Sequence, residues 1–136
     1  MAVETWIIDS SALHKLGSSP DFELWLERIE RGLVRIATVT LLEVGYSARS
    51  PHEFETIFDS PLMRNLIELP ATRQSEALAR EIQRQLVAVS QHRGVAVPDL
   101  LVAALGVVDG HTVLHDDKDF ATIATVTGQV TERLRL

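Results

Sequence analysis

Apolar and polar positions fall into blocks along this chain, and the blocks alternate between a strand-like and a helix-like period. Trp6-Ile-Ile8, with Val3 ahead of it, is an apolar run that ends on Asp9-Ser10-Ser11 and passes into Ala12-Leu13. A buried parallel strand opening into a helix reads this way. That helix runs to about Leu16 and stops at Gly17-Ser-Ser-Pro20. Residues 20–31 carry Phe22, Leu26 and Ile29 at helical spacing, with Trp25 in the core and Glu27 and Arg31 outside. Ser19 is the expected cap and Gly32 the terminator. Residues 34–39, mostly apolar and β-branched, predict a second strand. Residues 40–49 predict a helix with Leu41, Val44, Gly45 and Ala48 in one buried stripe.

Ser50-Pro51 and Ser60-Pro61 break the chain around a short helix at 52–58, and residues 66–70 form a peripheral strand. Thr72 caps a long helix to about Gln91, with Leu78, Ile82, Leu86 and Val89 inward, Arg73, Arg80 and Arg84 outward, and Gly94 at the terminus. Pro98 opens the next helix, and residues 100–108 are apolar on every side, as in a central buried helix. Residues 111–115 give a fourth strand, Phe120, Ile123 and Ala124 a short amphipathic helix, and residues 130–134 a last edge strand. Strands alternating with helices predict an α/β domain with a parallel sheet.

Length and composition narrow this picture. A chain of 136 residues makes one domain, 1–136, able to bury a core. The absence of cysteine excludes disulfides, a thiolate nucleophile and cysteine-ligated zinc. No apolar run approaches the ~20 residues of a membrane span, and Met1-Ala-Val-Glu4 lacks the basic start of a signal peptide, so a cytoplasmic protein is expected. A net charge of −6 argues against broad, non-specific nucleic-acid binding, but not against a nucleic-acid enzyme whose carboxylates are masked by metal ions.

The candidate chemistry lies in the acids. Asp9 and Asp117 follow two predicted parallel strands, and Glu43 and Asp99 fall in the first turn of helices starting at the same sheet edge. Each has a local alternative. Asp9 can cap the helix after it, Thr40-x-x-Glu43 has the form of a capping box, and Asp99 suits a helix dipole. Asp116 can cap the helix that follows it, but Asp116, Asp117 and Asp119 together repel unless solvated or bound to a cation. Clustered carboxylates form a hard oxygen site suited to Mg²⁺ or Mn²⁺ rather than zinc. Such an ion can polarise a phosphodiester and activate water. The five histidines show no H-E-x-x-H spacing, and there is no glycine-rich phosphate loop or G-x-S-x-G elbow.

Four stretches in this order, Ile8-Asp9-Ser-Ser-Ala12, Leu42-Glu43, Pro98-Asp99-Leu-Leu-Val-Ala-Ala104 and Leu114-His-Asp-Asp117-Lys-Asp119-Phe120, resemble PIN-domain ribonucleases, and most closely the VapC toxins of bacterial toxin–antitoxin pairs. The likeness covers nearly the whole chain, and Gln91-His-Arg-Gly94 resembles a VapC subgroup. Ser10 stands where the family more often has threonine, and Lys118 where arginine is common. The resemblance implies a three-layer α/β/α sandwich around a mainly parallel five-stranded sheet. It implies Asp9, Glu43, Asp99 and Asp117 as catalytic acids around Mg²⁺ or Mn²⁺, with Asp9, Asp99 and Asp117 as ligands, Asp119 supplementary and Ser11 behind them. A metal-bound water would attack an RNA phosphodiester, with Lys15, Arg49, Arg93 and Lys118 as candidate phosphate contacts. A homodimer and a VapB-type antitoxin, its tail in the acidic groove, are the implied partners.

Two other readings compete. A haloacid-dehalogenase-like phosphohydrolase also has a strand-terminal Asp and a downstream Asp pair, but needs an Asp at the place of Ser11. A receiver-like regulator or an inactive PIN-like interaction module would bind partners without catalysis.

Overall fold

Five parallel strands form one sheet: β1 (Trp6–Ile8), β2 (Val34–Ala37), β3 (Ile67–Leu69), β4 (Thr112–His115) and β5 (Thr131–Arg133), in the order β3-β2-β1-β4-β5. The computed structural model describes residues 3–136, so Met1 and Ala2 of the N-terminal stretch read above lie outside the described residues. Parallel neighbours require crossovers, which the helices supply: α1 (Ser10–Lys15), α2 (Phe22–Glu30), α3 (Thr38–Tyr46), α4 (Pro51–Phe58), α5 (Pro61–Asn65), α6 (Arg73–Ala88), α7 (Val97–Asp109) and α8 (Lys118–Thr127). The chain builds outward from β1 to β2 and β3, then returns to place β4 on the other side of β1. The carboxyl ends of β1 and β4 therefore flank a switch point, where open α/β sheets form their crevice.

Alternation along the strands divides the core between the two faces. Ile7, Ala37 and Val113 pack with residues of α6, α7 and α8, among them Ile82, Leu105 and Phe120. Trp6, Ile8, Val34, Ile36 and Leu114 pack with Ala12, Leu16, Trp25 and Ile29 from the α1–α2 side. The result is the expected three-layer α/β/α sandwich. Within α7, Leu100 and residues 102–106 are buried, but Val107, which the all-round apolar run placed inside, is 42 % exposed. Gly106 permits its approach to β4: a Cβ there would stand 3.1 Å from the His111 carbonyl and 3.2 Å from Val113 Cγ2. At the opposite sheet end from the acids, Trp6 and Trp25 meet edge to face at 5.2 Å. The Arg28 guanidinium lies 4.5 and 4.4 Å from their ring centroids.

Several local expectations shift. Ser19 does not cap α2 directly: its Oγ accepts from the Asp21 N–H at 3.0 Å, closing a turn before the helix begins at Phe22. Strand β2 ends at Ala37 and α3 begins at Thr38, two residues early. The α3 stripe is only half-buried, with Leu42 and Tyr46 exposed beside it. Helix α6 ends at Ala88, so Val89 is exposed, and the inward face is Ser75, Ala79, Ile82 and Leu86. Its end is a Schellman motif: Gln91 N–H donates to Leu86 C=O at 2.8 Å, Ser90 N–H to Val87 C=O, and Ser90 takes φ 58°. Gly94, expected at this terminus, belongs instead to a 3-10 turn over His92–Gly94. Ser60-Pro61 not only breaks the chain but opens α5, the Ser60 hydroxyl accepting from the Met63 N–H.

Candidate metal centre

Asp9 leaves the sheet without leaving its ladder, since its N–H donates to Leu114 C=O at 3.1 Å. It then caps α1, its Oδ1 accepting from the Ala12 N–H at 2.9 Å. Capping and site formation are compatible here, because the bonded carboxylate is held rigid and retains lone pairs. The Ser11 hydroxyl lies 2.8 Å from both Asp9 oxygens and accepts from the Asp116 N–H at 2.9 Å. One small side chain thus ties the loop after β1 to the loop after β4.

Asp117, not Asp116, caps α8, its Oδ1 accepting from the Asp119 N–H at 2.9 Å. Asp99 is the third residue of α7. One oxygen from each of Asp9, Asp99 and Asp117 lies within 4.8 Å of the other two, although the three come from distant parts of the chain. Asp119 stands behind Asp99: its Oδ2 accepts from the Ala96 N–H at 3.0 Å at the start of α7, and its carboxyl is close enough to Asp99 to raise that residue's pKa.

Electrostatics express this crowding. Asp9 is 1 % exposed, and burial raises its pKa against the lowering effect of the bonds from Ala12 and Ser11. Burial, then the bond shared with Asp119, then the charges of Asp117, Asp119 and Asp9 push Asp99 up to about 8. Glu43 is raised by partial burial and by the charge of Asp9, while its side chain stays largely exposed. Burial lowers the pKa of His115 at the end of β4. An all-oxygen donor set in which Asp9 and Asp99 are both held above the ordinary carboxylate range fits a hard divalent cation, which would relieve the repulsion.

A family model described as "PIN domain" matches residues 6–126. The chain belongs to the PIN-domain family. Among curated relatives, Ribonuclease VapC2 of Mycobacterium tuberculosis is 48% identical over 98% of this chain and 95% of its own length. Ribonuclease VapC51 of the same species is 43% identical over 91% and 88%. Among solved structures, DNA-bound VapBC from Salmonella typhimurium superposes with a TM-score of 0.80 at 17% identity, covering 96% of this chain and 98% of that one. VapBC-5 from Mycobacterium tuberculosis gives a TM-score of 0.65 at 17% identity, covering 98% and 100%. Those two likenesses concern the fold.

In this PIN domain the other predicted residues divide. Glu43 stands outside the three-oxygen set and faces Asp9 through charge alone. The capping box predicted with Thr40 does not form: α3 begins at Thr38, so Thr40 is its third residue and Glu43 its sixth, in the second turn. Thr40 is fully buried, and its hydroxyl has no hydrogen-bond partner among the described residues. Asp116 is no part of a repelling trio: Lys15 (2.5 Å) and Arg133 (3.1 Å) bind its carboxylate and hold its pKa down. Lys15 is therefore engaged rather than free, and Arg49 pairs with Glu53 at 3.3 Å. Arg93 and Lys118 are exposed and have no ion-pair partner among the described residues. Arg133, which neutralises Asp116 from β5, lacked any local signal, because the pair forms only when β5 docks on β4.

Proposed function

We propose that this chain is a divalent-metal-dependent endoribonuclease, the toxin of a pair with a VapB-type antitoxin. The convergence of Asp9, Asp99 and Asp117 at the switch point carries the reading, and the identity to curated VapC ribonucleases supports it. Asp9, Asp99 and Asp117 would hold Mg²⁺ or Mn²⁺. When bound, the ion supplies Lewis-acid polarisation of a phosphodiester and lowers the pKa of water. Ser11 fixes the Asp9 carboxylate, and Asp119 fixes the start of α7, so that both present oxygens without searching rotamers. Glu43, exposed and raised in pKa, orients the attacking water and accepts its proton. Lys118 and Arg93 steer the phosphate chain into an otherwise acidic site. No observation favours phosphohydrolase chemistry through an aspartyl-phosphate: the Ser11 hydroxyl occupies the place where a second Asp would be needed.

A groove of about 880 Å³ runs from Ser10 and Ser11 past Glu43 to Leu42, Tyr46 and Leu62. A largely apolar wall bearing the Glu43 carboxylate suits an amphipathic antitoxin segment with a basic tail, whose arginine would pair with Glu43 and a neighbouring aspartate. Co-purification of the neighbouring gene product with this chain is expected, and light scattering of the free chain is expected to give a homodimer. The catalytic test is purified chain with RNA. Cleavage with Mg²⁺ or Mn²⁺ is expected, lost in EDTA and in Asp9→Asn. Undiminished cleavage by Asp9→Asn rejects the metal site. Mapped 5′ ends of cellular RNA after induced expression would name the target.

A further inference from the structure

Strand β4 ends on a histidine that the reaction scheme above leaves without a task. His115 is 5 % exposed, and its ring lies against that of Phe120 at 5.2 Å between centroids, with Phe120 itself fully buried. Its backbone C=O accepts the Leu134 N–H at 2.7 Å, so the residue is anchored to β5 as well. The ring therefore has little freedom to move. Its Nδ1 accepts the backbone N–H of Asp117 at 3.2 Å.

That bond lies where the chain turns off the sheet to deliver Asp117. The Asp116 N–H goes to Ser11, and the Asp117 N–H goes to His115. Rotation of the peptide between Asp116 and Asp117 would swing the Asp117 Cα–Cβ bond, and the carboxylate with it. The His115 bond holds that peptide itself, and the Ser11 bond fixes the peptide ahead of it.

We propose that His115 is a positioning residue: its Nδ1, braced on Phe120, holds the Asp117 peptide so that the Asp117 carboxylate meets those of Asp9 and Asp99. This rests on the metal-site reading above. A half-buried N–H that loses its acceptor turns to find another. Groups that orient ligands are worth about 10–100-fold in metal affinity. The Ser11 bond remains in any His115 variant, which puts the expected loss near the lower end.

The acceptor requirement separates two substitutions of similar size. Asn places its Oδ1 near the position of Nδ1, whereas Gln carries its polar group to the far side of the ring. Calorimetric titration of the full chain with Mn²⁺ is expected to show Kd within about threefold of wild type for His115→Asn and about tenfold weaker for His115→Gln. Circular dichroism is expected to show both folded. Unchanged affinity in His115→Gln, or equal loss in two folded variants, overturns the proposal. Failure of wild type to bind Mn²⁺ overturns the metal-site reading and this inference with it. A measurement on wild type alone covers the case of a misfolded variant. The ¹⁵N spectrum is expected to show His115 with its proton on Nε2 and the Asp117 amide protected from exchange. A proton on Nδ1, or a fast-exchanging Asp117 amide, refutes the strut.

Discussion

Replacing Asp99 by Asn should stabilise the metal-free protein and abolish its metal response. In the unfolded chain Asp99 ionises near 3.8, whereas in the folded chain it holds its proton to about 8. A folded state that binds more protons loses stability as pH rises. The contribution of Asp99 is thus complete below pH ~4 and lost by the time pH has passed through about 8. Four units at 1.36 kcal/mol each set a ceiling of roughly 5–6 kcal/mol, which solvent screening lowers. Asp9, Asp117 and Asp119 share the interaction, so the fraction recovered by Asp99→Asn at pH 8 is on the order of 2–3 kcal/mol. The amide that this substitution introduces can also donate to Asp119 permanently, as the shared proton does only at lower pH. For a domain of this size the gain is on the order of 10 °C in Tm. The assay is a melting curve in EDTA from pH 4 to 9 for both proteins. The two are expected to coincide near pH 4 and diverge upward. With Mn²⁺ at a hundred times its Kd, wild type should gain about 2.7 kcal/mol and Asp99→Asn almost nothing. Parallel pH curves, or an Asp99→Asn protein no more stable at pH 8, would refute the electrostatic account.

Glu43→Gln should melt within a few degrees of wild type yet lose most ribonuclease activity at saturating Mg²⁺ or Mn²⁺, and a normal cleavage rate would leave the aspartates as the whole site. Thr40→Val should raise stability by about 1 kcal/mol in denaturant titration, because it removes a buried hydroxyl with no partner among the described residues; a loss of stability would show that the hydroxyl is satisfied. Lys118→Ala and Arg93→Ala should each raise KM for RNA and flatten its salt dependence, whereas Arg49→Ala, already paired with Glu53, should not. Similar KM changes in all three would dissolve the distinction between free and engaged cations.

The sheet and its layers were legible because β1, β2 and β4 are short apolar runs bounded by polar residues, and α7 is apolar on every side. The approach of Asp9, Asp99 and Asp117 was legible because strand ends and helix starts share one sheet edge in this topology. What stayed hidden depended on pairing across the chain or on backbone geometry. Lys15 looked like a free cation until β4 brought Asp116 to it. Thr40-x-x-Glu43 satisfied a capping pattern, but the helix had already begun at Thr38, where the hydroxyl donates to Glu68 on β3 at 2.6 Å. Serine at a left-handed position ended α6 where glycine would have announced it. The role of Asp119, bonding the start of α7 from the start of α8, needs both helices docked before it exists.

The Trp6–Trp25 pair has a consequence for how this protein can be observed. These are the only two tryptophans, and both sit in one buried cluster with Arg28 against their rings. Trp6 opens β1 and Asp9 follows its end, three residues or roughly 10 Å further along the strand. Intrinsic fluorescence therefore reports on a single place, the seam between β1 and α2. It should follow unfolding as one transition, with the guanidinium held against both indoles only in the native state. Ion or nucleotide binding at the carboxylates should leave the emission almost unchanged, so a spectral shift on adding metal would signal rearrangement reaching through the sheet rather than occupancy.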